Sequence, residues 1–101
     1  MEILWRNKKI RKQAEKKVKS NPICKKRLNQ LKQAPCYLDI PNSAGAHFLK
    51  GDLKNFFAVD FDFPARIICA PIGGEFKNKK FAKETITTIE IIEIKKDYHQ
   101  K

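Results

Sequence analysis

Acidic residues, glycine and long apolar runs are all scarce in this chain, and each shortage excludes something. Eleven Asp and Glu stand against 22 Lys and Arg, a formal net charge of +11. Self-repulsion of that size opposes compaction, so an anionic partner is expected. Basic residues are spread over several segments, which favours nucleic acid over a membrane surface or an acidic protein. No stretch approaches the roughly 20 apolar residues of a membrane-spanning helix. Met1-Glu2-Ile3-Leu4-Trp5 runs at once into charges, unlike a secretory signal.

With 4 glycines, the chain has no phosphate-cradling loop, and Gly73-Gly74 lacks the spacing of either nucleotide fingerprint. There is no G-x-S-x-G elbow, and Ser20 and Ser43 fall in turn-like stretches without a nearby histidine. The 3 cysteines, Cys24, Cys36 and Cys69, form neither a C-x-x-C pair nor a Cys/His zinc pattern. They read as free, mostly buried thiols in a reducing cytoplasm. The carboxylates are too scattered for a two-metal site, so neither a metal nor a cofactor is expected.

At 101 residues the chain reads as a single domain, residues 1–101. A chain this long buries roughly 60–70% of its unfolded surface, enough for one modest core. Glu2-Ile3-Leu4-Trp5 is expected to be a short strand. Asn7 caps a helix running to about Ser20, with Ile10, Ala14 and Val18 along one stripe. Asn21 or Ser20 caps a second helix with Pro22 in its first turn, Cys24, Leu28 and Leu31 inward, and Lys25, Lys26, Arg27 and Lys32 outward. Ala34-Pro35 ends it. Cys36 to Ala46 reads as a loop tied to the core by Tyr37, Leu38 and Ile40. A short extended piece begins at His47. Phe56 to Phe63 alternates, with Phe57, Val59, Phe61 and Phe63 opposite Ala58, Asp60 and Asp62, as in a half-buried strand. Ala65 to Ala70 is the next strand. Ile72 to Glu84 reads as a mobile basic loop. Thr85 to Ile94 is β-branched almost throughout and reads as a central strand. The expected order is β-α-α-β-β-β, an α+β fold with two N-terminal helices on a small, mostly antiparallel sheet.

Two places hold residues suited to chemistry. Arg66 lies inside an apolar strand, where an unpaired charge costs several kcal/mol. It either pairs with Glu90 or Glu93 on the neighbouring strand or points into a cleft and grips a phosphate. Asp97-Tyr98-His99 follows the most apolar strand, and His99 is one of 2 histidines, the other being His47. Either imidazole can exchange a proton near neutrality. With Lys50 and Arg66, these groups suit metal-independent RNA cleavage. That route needs a base for the 2′-hydroxyl, an acid for the 5′-oxygen, and cations for the spreading phosphate charge.

These residues also carry a resemblance. His47-x-Leu49-Lys50-Gly51, the strand Phe56 to Asp60, Arg66-Ile67-Ile68, Asp97-Tyr98-His99 and the upstream Arg27-Leu28-x-x-Leu31 resemble the HigB branch of the RelE/ParE toxin superfamily over nearly the whole chain. The resemblance implies a RelE-like fold and a type II toxin that cleaves mRNA in the ribosomal A site. It implies an acidic antitoxin as partner, with the toxin monomeric alone and in higher-order assemblies with the antitoxin. His47, Lys50, Arg66, Asp97, Tyr98 and His99 would be the catalytic group, His99 the leading acid or base. Ala65, Cys69 and Pro71 depart from the family pattern, and the 72–84 loop is longer and more basic. Its Lys77, Lys79, Lys80 and Lys83 are expected to supply RNA-phosphate contacts. Two other readings of the chain stand beside this one: a gyrase-inhibiting toxin of the same fold, as in the ParE branch, and a non-catalytic basic RNA- or ribosome-binding protein.

Overall fold

The computed structural model describes residues 1–61 and 65–95. Among the described residues the fold is α+β, with two helices and a mixed five-stranded sheet. Strand β1 (Glu2–Trp5) leads into α1 (Lys8–Ser20) and α2 (Pro22–Gln33). Strands β2 (His47–Phe48), β3 (Phe57–Asp60) and β4 (Arg66–Pro71) follow, then β5 (Phe76–Lys77), β6 (Lys80–Phe81) and β7 (Thr88–Lys95). The sheet order is β1-β7-β4-β3-β2; β1 runs parallel to β7, and the remaining neighbours are antiparallel.

Local chemistry explains the helix boundaries. The Asn7 side chain accepts from the Ile10 amide at 2.9 Å, and the Asn21 side chain accepts from the Ile23 and Cys24 amides at 3.0 Å each. These bonds satisfy donors that a helix start leaves unpaired. Lys17 and Lys19 in the last turn of α1 complement its negative end.

The main core lies between the helices and one sheet face. Ala14, Cys24, Leu28 and Leu31 meet Phe57, Val59, Ile67, Cys69, Ile89 and Ile91 there. A smaller cluster on the opposite face joins Ala58, Ile68, Ala70 and Ile92, with Leu49 and Phe56 packed on it. Strand β3 is therefore buried on both faces at Phe57, Ala58 and Val59, where the alternation predicted one wet face. Leu49 and Phe56, flanking the turn after β2, supply the cover. Phe63 and Asp62 lie outside the described residues.

Strand β7 carries a bulge. Ile68 pairs with Glu93 but Cys69 pairs with Ile91, so Ile92 is the extra residue. A bulge shifts side-chain parity by one. It lets Ile89, Ile91 and Ile94 all serve the helix-side core while Ile92 turns to the other face.

Three local expectations change. Leu38 is 60% exposed, and Tyr37 and Ile40 alone of that trio are buried. The last strand starts at Thr88 because Lys83–Thr85 forms a tight turn, closed by the Thr85 hydroxyl donating to the Ala82 carbonyl at 2.6 Å. The stretch expected as a mobile basic loop contains the β5–β6 hairpin. Asn78 and Lys79 both take positive φ, 53° and 66°. That is the backbone of a two-residue hairpin turn. Phe76 and Phe81 pack edge-on across it, centroids 5.0 Å apart.

Candidate functional site

The site grows from the β3–β4 pairing. Its register sets Asp60 directly opposite Arg66, and Arg66 in turn opposite Lys95 of β7. Arg66 Nε lies 3.2 Å from Asp60 Oδ1, with the arginine side chain 13% exposed and the aspartate 35%. Burial of this degree screens the pair far less than open water does. Its partner is thus Asp60, on the strand other than the one bearing Glu90 and Glu93. Of the two alternatives for Arg66, the ion pair is present but with Asp60 in place of Glu90 or Glu93: Glu93 stands across from Ile68 and Glu90 across from Ala70, both farther along the sheet.

His47 joins the same cluster. Its Nε2 is 3.2 Å from Arg66 Nη1, and its Nδ1 is 2.9 Å from the Gly45 carbonyl. A guanidinium can only donate and a carbonyl can only accept. One arrangement satisfies both: a neutral ring with its proton on Nδ1 and the Nε2 lone pair facing arginine. Gly45 also lies close against Asp60. It sits at φ +66°, and a Cβ there would come within 2.8 Å of Asp60 Oδ2.

A second arginine anchors the strand end. Arg27 Nε donates to the Asp60 carbonyl at 2.6 Å, and its Nη1 donates to Gln30 Oε1 at 3.1 Å. Arg27 was expected to face outward with the lysines of α2. It reaches inward because a strand-terminal carbonyl lies below the helix and a guanidinium on a long stem can meet it.

Beside His47 lies a cleft of about 340 Å³ lined by Tyr37, Ala46, His47, Phe48, Lys80, Phe81 and Lys83. Tyr37 packs on Phe48 and Phe57 at centroid distances of 5.1 and 4.9 Å. Burial pushes its phenol pKa up, so it stays protonated across the neutral range. Lys83 Nζ stands 5.7 Å from the Tyr37 ring centroid, a cation–π contact. Another cleft, between α1 and β7, is lined by Gln13, Lys16, Lys17, Ser20 and Ile94. It contains no histidine, carboxylate or aromatic side chain.

The expected site residues therefore fall into four sets. His47 and Arg66 are in contact. Lys80 and Lys83 share a cleft with His47, while Lys77 and Lys79 are exposed on the hairpin outside its lining. Lys50 is exposed just beyond β2, outside the hydrogen-bonded cluster. Asp97, Tyr98 and His99 lie outside the described residues. Asp60, Gly45, Arg27 and the aromatic wall were not anticipated. The Asp60–Arg66 pair had a signal, since the two residues flank Phe63-Pro64, a turn signal between two strand-like runs.

Among the described residues no group of three or more His, Cys, Asp or Glu could hold a metal ion, and no helix is long and apolar enough to cross a membrane. Comparison with protein-family models, curated proteins and solved structures finds no match to the chain.

Proposed function

We propose that this chain is a HigB-like toxin with a RelE-like fold, a ribosome-dependent mRNA endoribonuclease that works in the cytoplasm and is neutralised by an acidic antitoxin. The observation that carries the reading is the His47–Arg66 contact at the end of the sheet where β7 stops. Arg66 pairs with Lys95, and Asp97, Tyr98 and His99 follow Lys95 closely in sequence. The net charge of +11 suits a phosphate-rich target.

The chemistry assigned to these groups is transesterification. A base takes the 2′-hydroxyl proton, the 2′-oxygen attacks phosphorus, and the P–O5′ bond breaks as an acid protonates the departing 5′-oxygen. The products are a 2′,3′-cyclic phosphate and a 5′-hydroxyl. His99 is the leading acid or base. His47, whose Nε2 faces Arg66, is the second candidate proton carrier. A phosphate that draws the Arg66 guanidinium toward itself uncovers that Nε2. Arg66 and Lys50 hold the charge that spreads over the phosphate oxygens. Tyr98 orients the RNA base, and Asp97 completes the group.

Primer extension on a translating message, with and without ribosomes, tests this. Wild type is expected to cut only with ribosomes, and His99→Ala to lose about 10²–10⁴ in rate. Near-wild-type cutting by His99→Ala removes that assignment. Intact message with arrested translation points to a non-catalytic ribosome binder, and intact message with normal translation to a gyrase assay.

A further inference from the structure

The aromatic cleft beside His47 has no part in the chemistry above. The α1 groove of Lys8, Lys9, Lys12 and Lys16 offers cations around Gln13 and no aromatic side chain. The cleft joins two cations to aromatic walls and touches a site residue.

We propose that this cleft is a subsite for one nucleotide of single-stranded RNA, its phosphate between Lys80 and Lys83 and its base against Phe81. The proposal rests on the reading of the chain as RNA-acting and deepens it. Three observations carry it. First, Lys83 is steadied over the Tyr37 ring, which reduces the rotamer freedom that a lysine loses when it grips a phosphate. Second, the hairpin is braced, although an isolated two-stranded hairpin is marginal. Phe81 packs on the main core, the Ala82 amide donates to the Glu75 carbonyl at 2.8 Å, and the Glu75 amide donates to Thr85 Oγ1 at 2.8 Å. Third, lysine and aromatic residues interleave along it as Phe76-Lys77, Lys80-Phe81 and Lys83, with Phe76 50% exposed. Single-strand binders combine cations that follow the backbone with rings on which bases stack. An acidic peptide would use the lysines and leave the rings idle. The cleft measures about 340 Å³. That is the small end of ligand pockets, so it takes one nucleotide while the strand continues along the exposed hairpin.

The test is fluorescence anisotropy with a labelled oligoribonucleotide, 2′-O-methylated to prevent cleavage, over a series of salt concentrations. Lys80→Gln/Lys83→Gln is compared with Lys8→Gln/Lys12→Gln, which removes equal charge from α1. The cleft pair is expected to weaken binding at least tenfold more than the α1 pair. Loss of the one phosphate held between the two cleft lysines lowers the salt slope by about 0.7. Phe81→Leu is expected to weaken binding by about 5- to 150-fold, the worth of one base–aromatic contact. Equal losses from the two lysine pairs overturn the proposal, even if Phe81→Leu fails to fold. A glutamate-rich peptide that displaces the RNA and depends more strongly on Lys80 and Lys83 overturns it in favour of an acidic protein. The nuclease reading is judged separately. Cleft-dependent RNA binding by a wild type that never cuts message keeps the subsite and removes the nuclease. Cutting by a wild type whose RNA binding ignores the cleft does the reverse.

Discussion

Replacing Gly45 with alanine should damage the site from a position that carries no chemistry. Two effects add. The residue sits at φ +66°. An L side chain in that region costs about 1–2 kcal/mol. The new Cβ would also fall 2.8 Å from Asp60 Oδ2 and 3.3 Å from its Cγ. Asp60 must then move, yet its carboxylate is held by Arg66 and its carbonyl by Arg27. Gly51 separates the two effects: its φ is +70°, but nothing lies within 4 Å of a Cβ built there. Gly51→Ala is expected to lose about 1–2 kcal/mol from backbone conformation alone. Gly45→Ala is expected to lose about 1–2 kcal/mol more, the range for forcing extra atoms into a packed site. In a domain this small each kcal/mol shifts Tm by about 4–8 °C, so thermal unfolding followed by circular dichroism resolves the difference. If Gly45→Ala unfolds no earlier than Gly51→Ala, the Asp60 side chain is not held as described. The Gly45–Asp60–Arg66–His47 argument then fails with it.

Arg27→Gln removes a charged donor from the Asp60 carbonyl. By urea denaturation it should cost about 1.5–3 kcal/mol. A loss below about 0.5 kcal/mol, the usual scale for a surface change, would show that α2 does not depend on this anchor. The thiols give a second check, because Cys24 and Cys69 are buried and Cys36 is partly exposed. A disulfide reagent should modify Cys36 in the native protein and reach the other two only after unfolding. Burial pushes the Cys24 and Cys69 pKa values up. With a folded-state pKa above the unfolded one, near 8.5, the unfolded chain loses its thiol protons first. Stability is therefore full below about pH 8.5 and falls as pH rises above it. Cys69→Ala should flatten that alkaline slope, and an unchanged slope would contradict the burial argument.

What the sequence revealed was local. Asn7 and Asn21-Pro22 mark helix starts because a cap acts within three residues of itself, and both helices begin where those residues stand. The apolar runs of β4 and β7 identify themselves by composition. The hairpin escaped because its turn is Asn78-Lys79, without the glycine that usually takes positive φ, and its strands are two residues each, too short for alternation to show. The partner of Arg66 depended on which strand lay on each side and in what register. A charge on a strand cannot report that by itself. Arg27 looked like one more solvated cation because nothing near it in sequence marks the Asp60 carbonyl beneath. The histidine at position 47 was singled out for its chemistry, but its link to Lys80 and Lys83 exists only once the hairpin folds back beside β2.

The parallel pairing of β1 with β7 bears on how the protein is made. Strand β7 is translated after every other described element, yet it lies second in the sheet, between β1 and β4. Until it emerges, β1 lacks its ladder partner and the helices lack Ile89 and Ile91 of their core. Contacts between residues this far apart in sequence slow folding, because the chain closes its longest loop before those contacts stabilise it. A nascent chain stopped anywhere before β7 therefore cannot complete the sheet. On the reading proposed above, the ribosome that synthesises this protein is shielded from it until β7 has been made.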